Sequence, residues 1–126
     1  MANLTKVFND HFEEFVGDIH NVFPDDVDIV TAKNALLTMR KANPKLIPQI
    51  WTTYIVGPYK SQIEAGDLSF FIEKDYSQDV SNSKSSEKIM SSINRLREPI
   101  RQMSDENKAK TLKYIQNLTK LSLMIN

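Results

Sequence analysis

The sequence predicts an all-α protein, a single-domain bundle of about five helices with a kinked central helix at Gly57-Pro58. Three observations predict this fold class. Apolar residues recur at steps of three and four along most of the chain, which is the period of amphipathic helices. Prolines, glycines and short polar clusters separate these periodic stretches. The chain of 126 residues can bury one core without the help of disulfides or metals.

The first helix is predicted over residues 4–23. Asn3 or Thr5 can cap its start, and Pro24 ends it, because the residue before a proline is pushed out of the α region. Nine apolar side chains, four of them phenylalanines, form its buried stripe: Leu4, Val7, Phe8, Phe12, Phe15, Val16, Ile19, Val22 and Phe23.

Pro24-Asp25-Asp26 begins the second helix, which we expect to end near Ala42. Acidic side chains at this position favour a helix start, because they cap free N–H groups and oppose the helix dipole. Asp25, Asp26 and Asp28 do not form a calcium loop, since the required glycine and the final glutamate are absent from the spacing.

The central helix is predicted to begin near Pro48 and to carry the only tryptophan of the chain. Pro58 cannot donate a hydrogen bond to the carbonyl of Tyr54, and Gly57 precedes it, so we expect a kink there. Ala65-Gly66-Asp67 is typical of a glycine that ends one helix followed by a residue that caps the next. The next helix is a short one, over residues 67–76.

The remaining chain predicts an exposed serine-rich loop over residues 77–86 and two further helices. The first spans about residues 86–103, and Pro99 should bend or divide it after Arg97. Its apolar positions step 4-3-4-3: Ile89, Ile93, Leu96, Ile100 and Met103. Ser104-Asp105-Glu106 then caps the last helix, whose apolar side is Leu112, Ile115, Leu118 and Leu121, broadened by Tyr114 and Ile125.

Composition excludes several classes of protein. There is no cysteine, and therefore no disulfide, thiolate nucleophile or thiolate zinc site. No secretory signal precedes the first helix, and no apolar run predicts a membrane span. We therefore expect an intracellular, cytoplasmic protein.

Charge is unevenly distributed, although 16 basic residues balance 16 acidic ones. Residues 1–83 hold 7 Lys/Arg and 12 Asp/Glu, whereas residues 84–126 hold 9 and 4. The acidic part can fold against the basic part, or the basic face can stay free for phosphate or an acidic partner. The neutral total argues against nucleic acid as the main ligand.

No catalytic or metal-binding arrangement is recognisable. His11 and Glu14 are spaced to share a helix face, but a metal site in a helical bundle needs further ligands from a second helix. His11 and His20 both border the apolar stripe of the first helix, which is typical of boundary residues. We expect neither an enzyme nor a cofactor.

The aromatic residues of the central helix predict a protein interface. Trp51, Tyr54 and Tyr59 are of the types that dominate interface hot spots. Their helical spacing also fits a place in the core, and the pattern leaves both interpretations open. The predicted partner is another protein or a second copy of this chain.

A nucleic-acid-binding face on the two C-terminal helices is the alternative. Its candidate residues are Arg95, Arg97, Arg101, Lys108, Lys110 and Lys113. Asp105 and Glu106 would face the phosphates in a helix-turn-helix arrangement, and only Tyr114 is available to stack on bases. Nucleic acid is therefore the second choice.

One longer stretch carries a resemblance. The segments FPDDVDIVTAKNALLTMRKANPKLIPQIW and YIVGPYKSQIEAGDLSFFIEKDY resemble small helical proteins encoded by giant DNA viruses of protists and algae. These proteins carry no assigned activity, so no residue role follows from the resemblance. It implies a viral product that is associated with the virion or acts on a host component. The sequence thus predicts a non-enzymatic structural or protein-interaction module.

Overall fold

The computed structural model describes residues 3–69 and 84–125, and their regular structure is entirely helical. The predicted all-α bundle is therefore confirmed. Its elements are α1 (Leu4–Val22), α2 (Val27–Ala42), α3 (Leu46–Ile50), a π-helical segment (Trp51–Val56), α4 (Gly57–Glu64), α5 (Lys84–Arg101) and α6 (Asp105–Ile125).

The first two helices begin and end where local chemistry predicts. The side chain of Asn3 accepts the N–H of Lys6 at the start of α1. The carboxylate of Asp26 accepts the N–H groups of Asp28 and Ile29 at the start of α2. Each cap satisfies helix N–H groups that have no carbonyl partner of their own.

The central helix begins at Leu46, two residues before the predicted start. Pro48 lies in its first turn, where a missing N–H leaves no hydrogen bond unmade. The helix ends as predicted at Gly66, which has a φ of +77°. Asp67 donates its N–H to Gln62 and Gly66 donates to Ile63, which is the bond pair of a Schellman motif.

The irregularity predicted at Gly57-Pro58 spreads over both sides of that pair. Before it, the π-helical segment shifts the hydrogen bonds by one residue, and the N–H of Gly57 reaches the carbonyl of Thr52. After it, Tyr59 has the non-helical angles φ −123° and ψ 16°. The chain thus adapts to the missing N–H of Pro58 with a wide turn and a kink at Tyr59, not with a break at the proline.

Pro99 does not divide α5, which continues to Arg101. The apolar positions predicted for this helix, Ile89, Ile93, Leu96, Ile100 and Met103, are all buried. Their packing on both sides of Pro99 stabilises the helix across the hydrogen bond that the proline cannot make. Residues 77–83 of the predicted loop lie outside the described residues. Its last three residues, 84–86, belong to α5, which begins at Lys84. The predicted short helix beyond Ser69 also lies outside the described residues.

The buried face of α6 differs from the predicted leucine stripe. Ile115 and Leu118 are buried as expected, but Leu112 and Leu121 are only half-buried. Thr111, Thr119 and Ser122 take places in the interior. Each of these hydroxyls donates to a carbonyl three or four residues earlier in α6, which lets a small polar side chain be buried without an unpaired donor.

Helices α2 and α6 both run antiparallel to α1, and all three contact the central helix. Arg40 of α2 reaches Asp10 of α1, while Lys33 lies beside His20, so α2 runs back along α1. Tyr114 reaches Asp18, while Leu121 shares a groove with Val7, so α6 also runs antiparallel to α1. α5 packs against α2.

Candidate interaction surface

Trp51 is a core residue and not part of an interface. Its side chain is 0% exposed, with ring centroids 5.8 Å from Phe12 and 6.3 Å from Phe8 in edge-on contacts. Its indole N–H donates to the hydroxyl of Thr119 at 3.3 Å. The prediction of Trp51 as an interface residue is therefore wrong for the folded chain, because α1 and α6 enclose the ring on both sides.

Tyr54 and Tyr59 are half-buried and pack against the core. Only part of each ring is available to a partner. The aromatic patch that the sequence predicts is therefore reduced to portions of two tyrosines, and their role in an interface stays a prediction.

An exposed apolar corner lies where α1 passes into α2. We call it the valine corner: Val22 at the end of α1, and Val27 and Val30 in the first turn of α2. Val27 is 75% exposed, and the other two are 38% and 37% exposed. Val27 and Val30 are three residues apart and share a helix face. Asp25 and Asp28 are exposed beside them, so the corner has an apolar centre and an acidic edge.

A second exposed apolar group lies at the start of α1 and the end of α6. We call it the tail patch: Val7, Leu123 and Met124, of which Met124 is 60% exposed. Leu121 is half-buried and lines the groove that also contains Val7 and Lys120. Sequence reasoning placed Val7 and Val22 in the core stripe of the first helix, because their spacing matches that stripe and neither position carries a polar residue.

The predicted basic face is divided by the fold. Arg95 pairs with Asp28 at 2.9 Å, and Arg101 lies 3.8 Å from Glu98. Arg97 is half-buried. In residues 3–69 and 84–125, no carboxylate pairs with Lys108, Lys110 or Lys113.

A row of lysines on the outer face of α6 is the basic feature that the fold leaves open. Lys110, Lys113 and Lys120 are exposed, and their helical positions fall within one face. Lys120 was missed in the sequence because it stands apart from the other cations. Arg95 belongs instead to the contact between α2 and α5.

The Arg40 guanidinium joins α1 to α2. It lies 2.7 Å from an oxygen of Asp10 and 2.7 Å from an oxygen of Glu13. Hydrogen bonds from Lys6 and then from Arg40 hold the pKa of Asp10 below its ordinary value. These groups edge a cavity of about 460 Å³ with an apolar floor that includes Phe12 and Leu36. The cations and anions pair with each other there, which is the pattern of a structural contact.

The histidines occupy the boundary positions that the sequence predicts. Nδ1 of His11 lies 3.4 Å from Glu14, and the His11 ring is 4.9 Å from that of Tyr114. The hydroxyl of Tyr114 donates to Asp18 at 2.6 Å. Burial, together with this hydrogen bond, raises the pKa of Tyr114 to about 12. Among the residues that the structure describes, no three His, Asp or Glu side chains are grouped as a metal site would require.

Comparison with known proteins returns no relative. No protein-family model matches the chain, and no curated protein or solved structure is significantly similar to it. Within the described residues, no helix combines the length and apolar character that crossing a membrane requires.

Proposed function

We propose that this chain is a non-enzymatic protein-interaction module and that the valine corner is its contact surface. The observation that carries the proposal is the 75% exposure of Val27, with Val30 also exposed one turn further along the same helix face. Apolar surface gains roughly 25 cal/mol per Å² when a partner covers it. Scattered exposed valines are ordinary, whereas a contiguous apolar patch with a polar rim marks an interaction site; Val27 and Val30 share one helix face next to the exposed Asp28.

The acidic edge indicates the chemistry of the partner. Asp25 and Asp28 are exposed, and Asp28 lies 2.9 Å from Arg95, which itself is partly exposed. A surface with an apolar anchor flanked by Lys or Arg would match both parts of the corner. Tyr54 and Tyr59, which are half-buried, remain candidate residues for a separate contact. If the resemblance to giant-virus proteins holds, this partner belongs to the virion or to the infected cell.

Capture from the native cell extract tests the proposal with three forms of the immobilised chain. We expect the wild type and Ser61→Asp to retain the same partner and Val27→Asp to lose it. Ser61 is exposed on α4, which packs against α6, so Ser61→Asp adds the same charge on another element as a matched control. Hydrogen exchange of the recovered complex should show protection at the turn between α1 and α2. Equal retention by Val27→Asp would contradict the proposal.

Nucleic-acid binding is the second candidate, and the row of Lys110, Lys113 and Lys120 favours it. Each phosphate contact that a lysine makes releases counterions, so affinity should fall steeply with salt. Lys113→Glu with Lys120→Glu should reduce the salt slope by about one for each lysine. Lys60→Glu, on an exposed residue of α4, is the control. A wild type whose binding to duplex DNA and to RNA is undetectable at low salt would exclude this candidate.

A further inference from the structure

Asn9 is a buried polar side chain on an apolar face of α1. It is 1% exposed, and it precedes Phe12 by three residues and Val16 by seven, so these side chains share one face of the helix. The side-chain N–H of Asn9 donates to the carbonyl oxygen of Pro44 at 2.8 Å. Only the nitrogen end of an amide can donate to a carbonyl, so this bond fixes which way the side chain of Asn9 is turned.

The oxygen end of the same amide is left without a donor. Among residues 3–69 and 84–125, none donates a hydrogen bond to Oδ1 of Asn9. Buried acceptors nearly always have a partner, and an acceptor that lacks one weakens the fold. The contact between Asn9 and Pro44 thus explains the nitrogen of this side chain but not its oxygen.

Asn9 lines the cavity of about 460 Å³ between α1 and α2. Small-molecule sites have volumes of about 300–1,000 Å³, mostly apolar walls and a few polar groups. The apolar lining of this cavity comes from three helices: Phe12, Val16, Leu36, Leu37 and Ile47. Oδ1 of Asn9 is covered in the folded chain, so a ligand in the cavity must displace part of that cover before it donates to the oxygen.

The charges at the rim of the cavity disfavour an anionic ligand. The lining includes the carboxylates of Asp10, Glu13 and Glu14, and its cations are Lys33 and Arg40. Arg40 lies 2.7 Å from Asp10 and 2.7 Å from Glu13. To bind this guanidinium, a carboxylate or phosphate would have to displace one of the two acids, and like charges repel it from the rest of the rim. A neutral molecule leaves the ion pairs intact.

We propose that this cavity binds a small neutral molecule with an apolar body and a hydroxyl group that donates to Oδ1 of Asn9. The apolar body would lie against Phe12, Leu36 and Ile47, and the hydroxyl would supply the donor that the oxygen lacks. Alcohols and phenols are the chemical class that meets both requirements. This inference does not rest on the proposed function, because none of these residues belongs to the valine corner.

Titration with p-cresol, followed by calorimetry and NMR, tests the site, with its methyl ether and p-toluate as matched probes. All three share a ring and a methyl group, but the ether has no donor and p-toluate is an anion. We expect p-cresol to bind about tenfold more tightly than the ether, which corresponds to one neutral hydrogen bond. It should also bind more tightly than p-toluate. The resonances of the Asn9 amide and of the Leu36 and Leu37 methyl groups should shift on binding.

Two variants and a control locate the site. Asn9→Leu should remove the preference for p-cresol over the ether, because leucine offers no acceptor. Leu37→Trp should abolish the binding of both by filling the cavity from a half-buried position. Asn21→Leu makes the same change at an exposed position of α1 and should leave both affinities unchanged. Circular dichroism checks the helix content of each form. If Asn9→Leu does not fold, the preference of the wild type and its loss in Leu37→Trp decide.

Several results would overturn the inference. A wild type that binds neither p-cresol nor its ether up to their solubility would do so, as would equal affinities for the two. A preference for p-cresol that persists in Asn9→Leu would show that another group accepts the hydrogen bond, and tighter binding of p-toluate would show that the site takes anions. None of these results bears on the proposed function, whose test uses Val27→Asp and the cell extract.

Discussion

Trp51 joins three parts of the bundle through one side chain. Phe8 and Phe12 of α1 contact its ring, and the hydroxyl of Thr119 in α6 accepts a hydrogen bond from its indole N–H. Truncation would leave a cavity between these helices and an unused acceptor at Thr119. Buried aromatic residues of this size cost about 3–5 kcal/mol when replaced by alanine.

We therefore predict that Trp51→Ala lowers the free energy of unfolding by about 3–5 kcal/mol. Trp51→Phe should cost less, because it keeps a ring against Phe12 and loses mainly the hydrogen bond and part of the volume. Urea denaturation followed by circular dichroism measures both. A change below about 1 kcal/mol in Trp51→Ala would contradict the central place of this ring, since that is the scale of ordinary surface substitutions.

Tyr114 should make stability sensitive to alkaline pH. The ordinary pKa of 10.0 applies in the unfolded chain, whereas the folded chain holds the proton up to about 12. The contribution of Tyr114 is thus fully present below pH 10 and is lost as pH rises toward 12. We expect a loss of about 1 kcal/mol, less than for a fully buried group, because the ring is partly exposed.

The matched control for this effect is Tyr114→Phe, which removes the titrating group and keeps the ring. Denaturant unfolding of both forms at pH 9 and at pH 11 gives the difference in their slopes against pH. Equal slopes would show that the proton of Tyr114 does not contribute. Ultraviolet titration of tyrosinate should independently show one late-titrating group in the wild type that is missing in the variant.

A glycine just after a helix and a glycine inside a helix should respond to alanine in opposite directions. Gly66 ends α4 with a φ of +77°, and an added Cβ would meet only Leu112 at 3.7 Å. Gly66→Ala should therefore lower the free energy of unfolding by about 1–2 kcal/mol, because alanine rarely adopts this backbone conformation.

Gly17 lies inside α1 with nothing within 4 Å of an added Cβ. Gly17→Ala should stabilise the chain by about 0.5–1 kcal/mol. Thermal unfolding of both variants checks the signs, and two changes of the same sign would contradict this reading of the Schellman motif.

Helix ends were predictable because their causes are local. Asn3, Asp26 and Ser104 cap the helices that the sequence assigns to them, and Gly66 ends α4 as expected. Each signal depends on a few neighbouring residues. The π-helical segment has no such local signal, because it buries Trp51, Ile55 and Val56 together against the surrounding helices.

The buried face of α6 shows a different limit of sequence reasoning. Thr119 and Ser122 read as polar in the sequence, yet they lie in the interior because their hydroxyls bond to their own helix. Leucines at neighbouring positions suggested a face turned toward Leu112 and Leu121. Hydrophobic periodicity identifies the helix but misplaces its inner face when small polar residues are buried.

At the scale of the whole molecule, the candidate surface depends on tertiary packing. The sequence marks Trp51 as an aromatic of the interface type, but only the positions of α1 and α6 show that the ring is enclosed. Val22 and Val27 look like core residues or helix-start residues in the sequence. In the folded chain both are exposed, and periodicity within one helix cannot show this. The sequence therefore identifies the residue types that could form an interface, but it does not show which of those residues are exposed.

The uneven distribution of charge has a physical consequence for a chain whose net charge is zero. Acidic and basic side chains are both exposed, for example Asp25 and Lys113. With an isoelectric point near 6.7, the chain should migrate little in electrophoresis at neutral pH. It should nevertheless be retained by both anion- and cation-exchange resins at low salt, because exposed groups of both signs are available to each and are screened only weakly there.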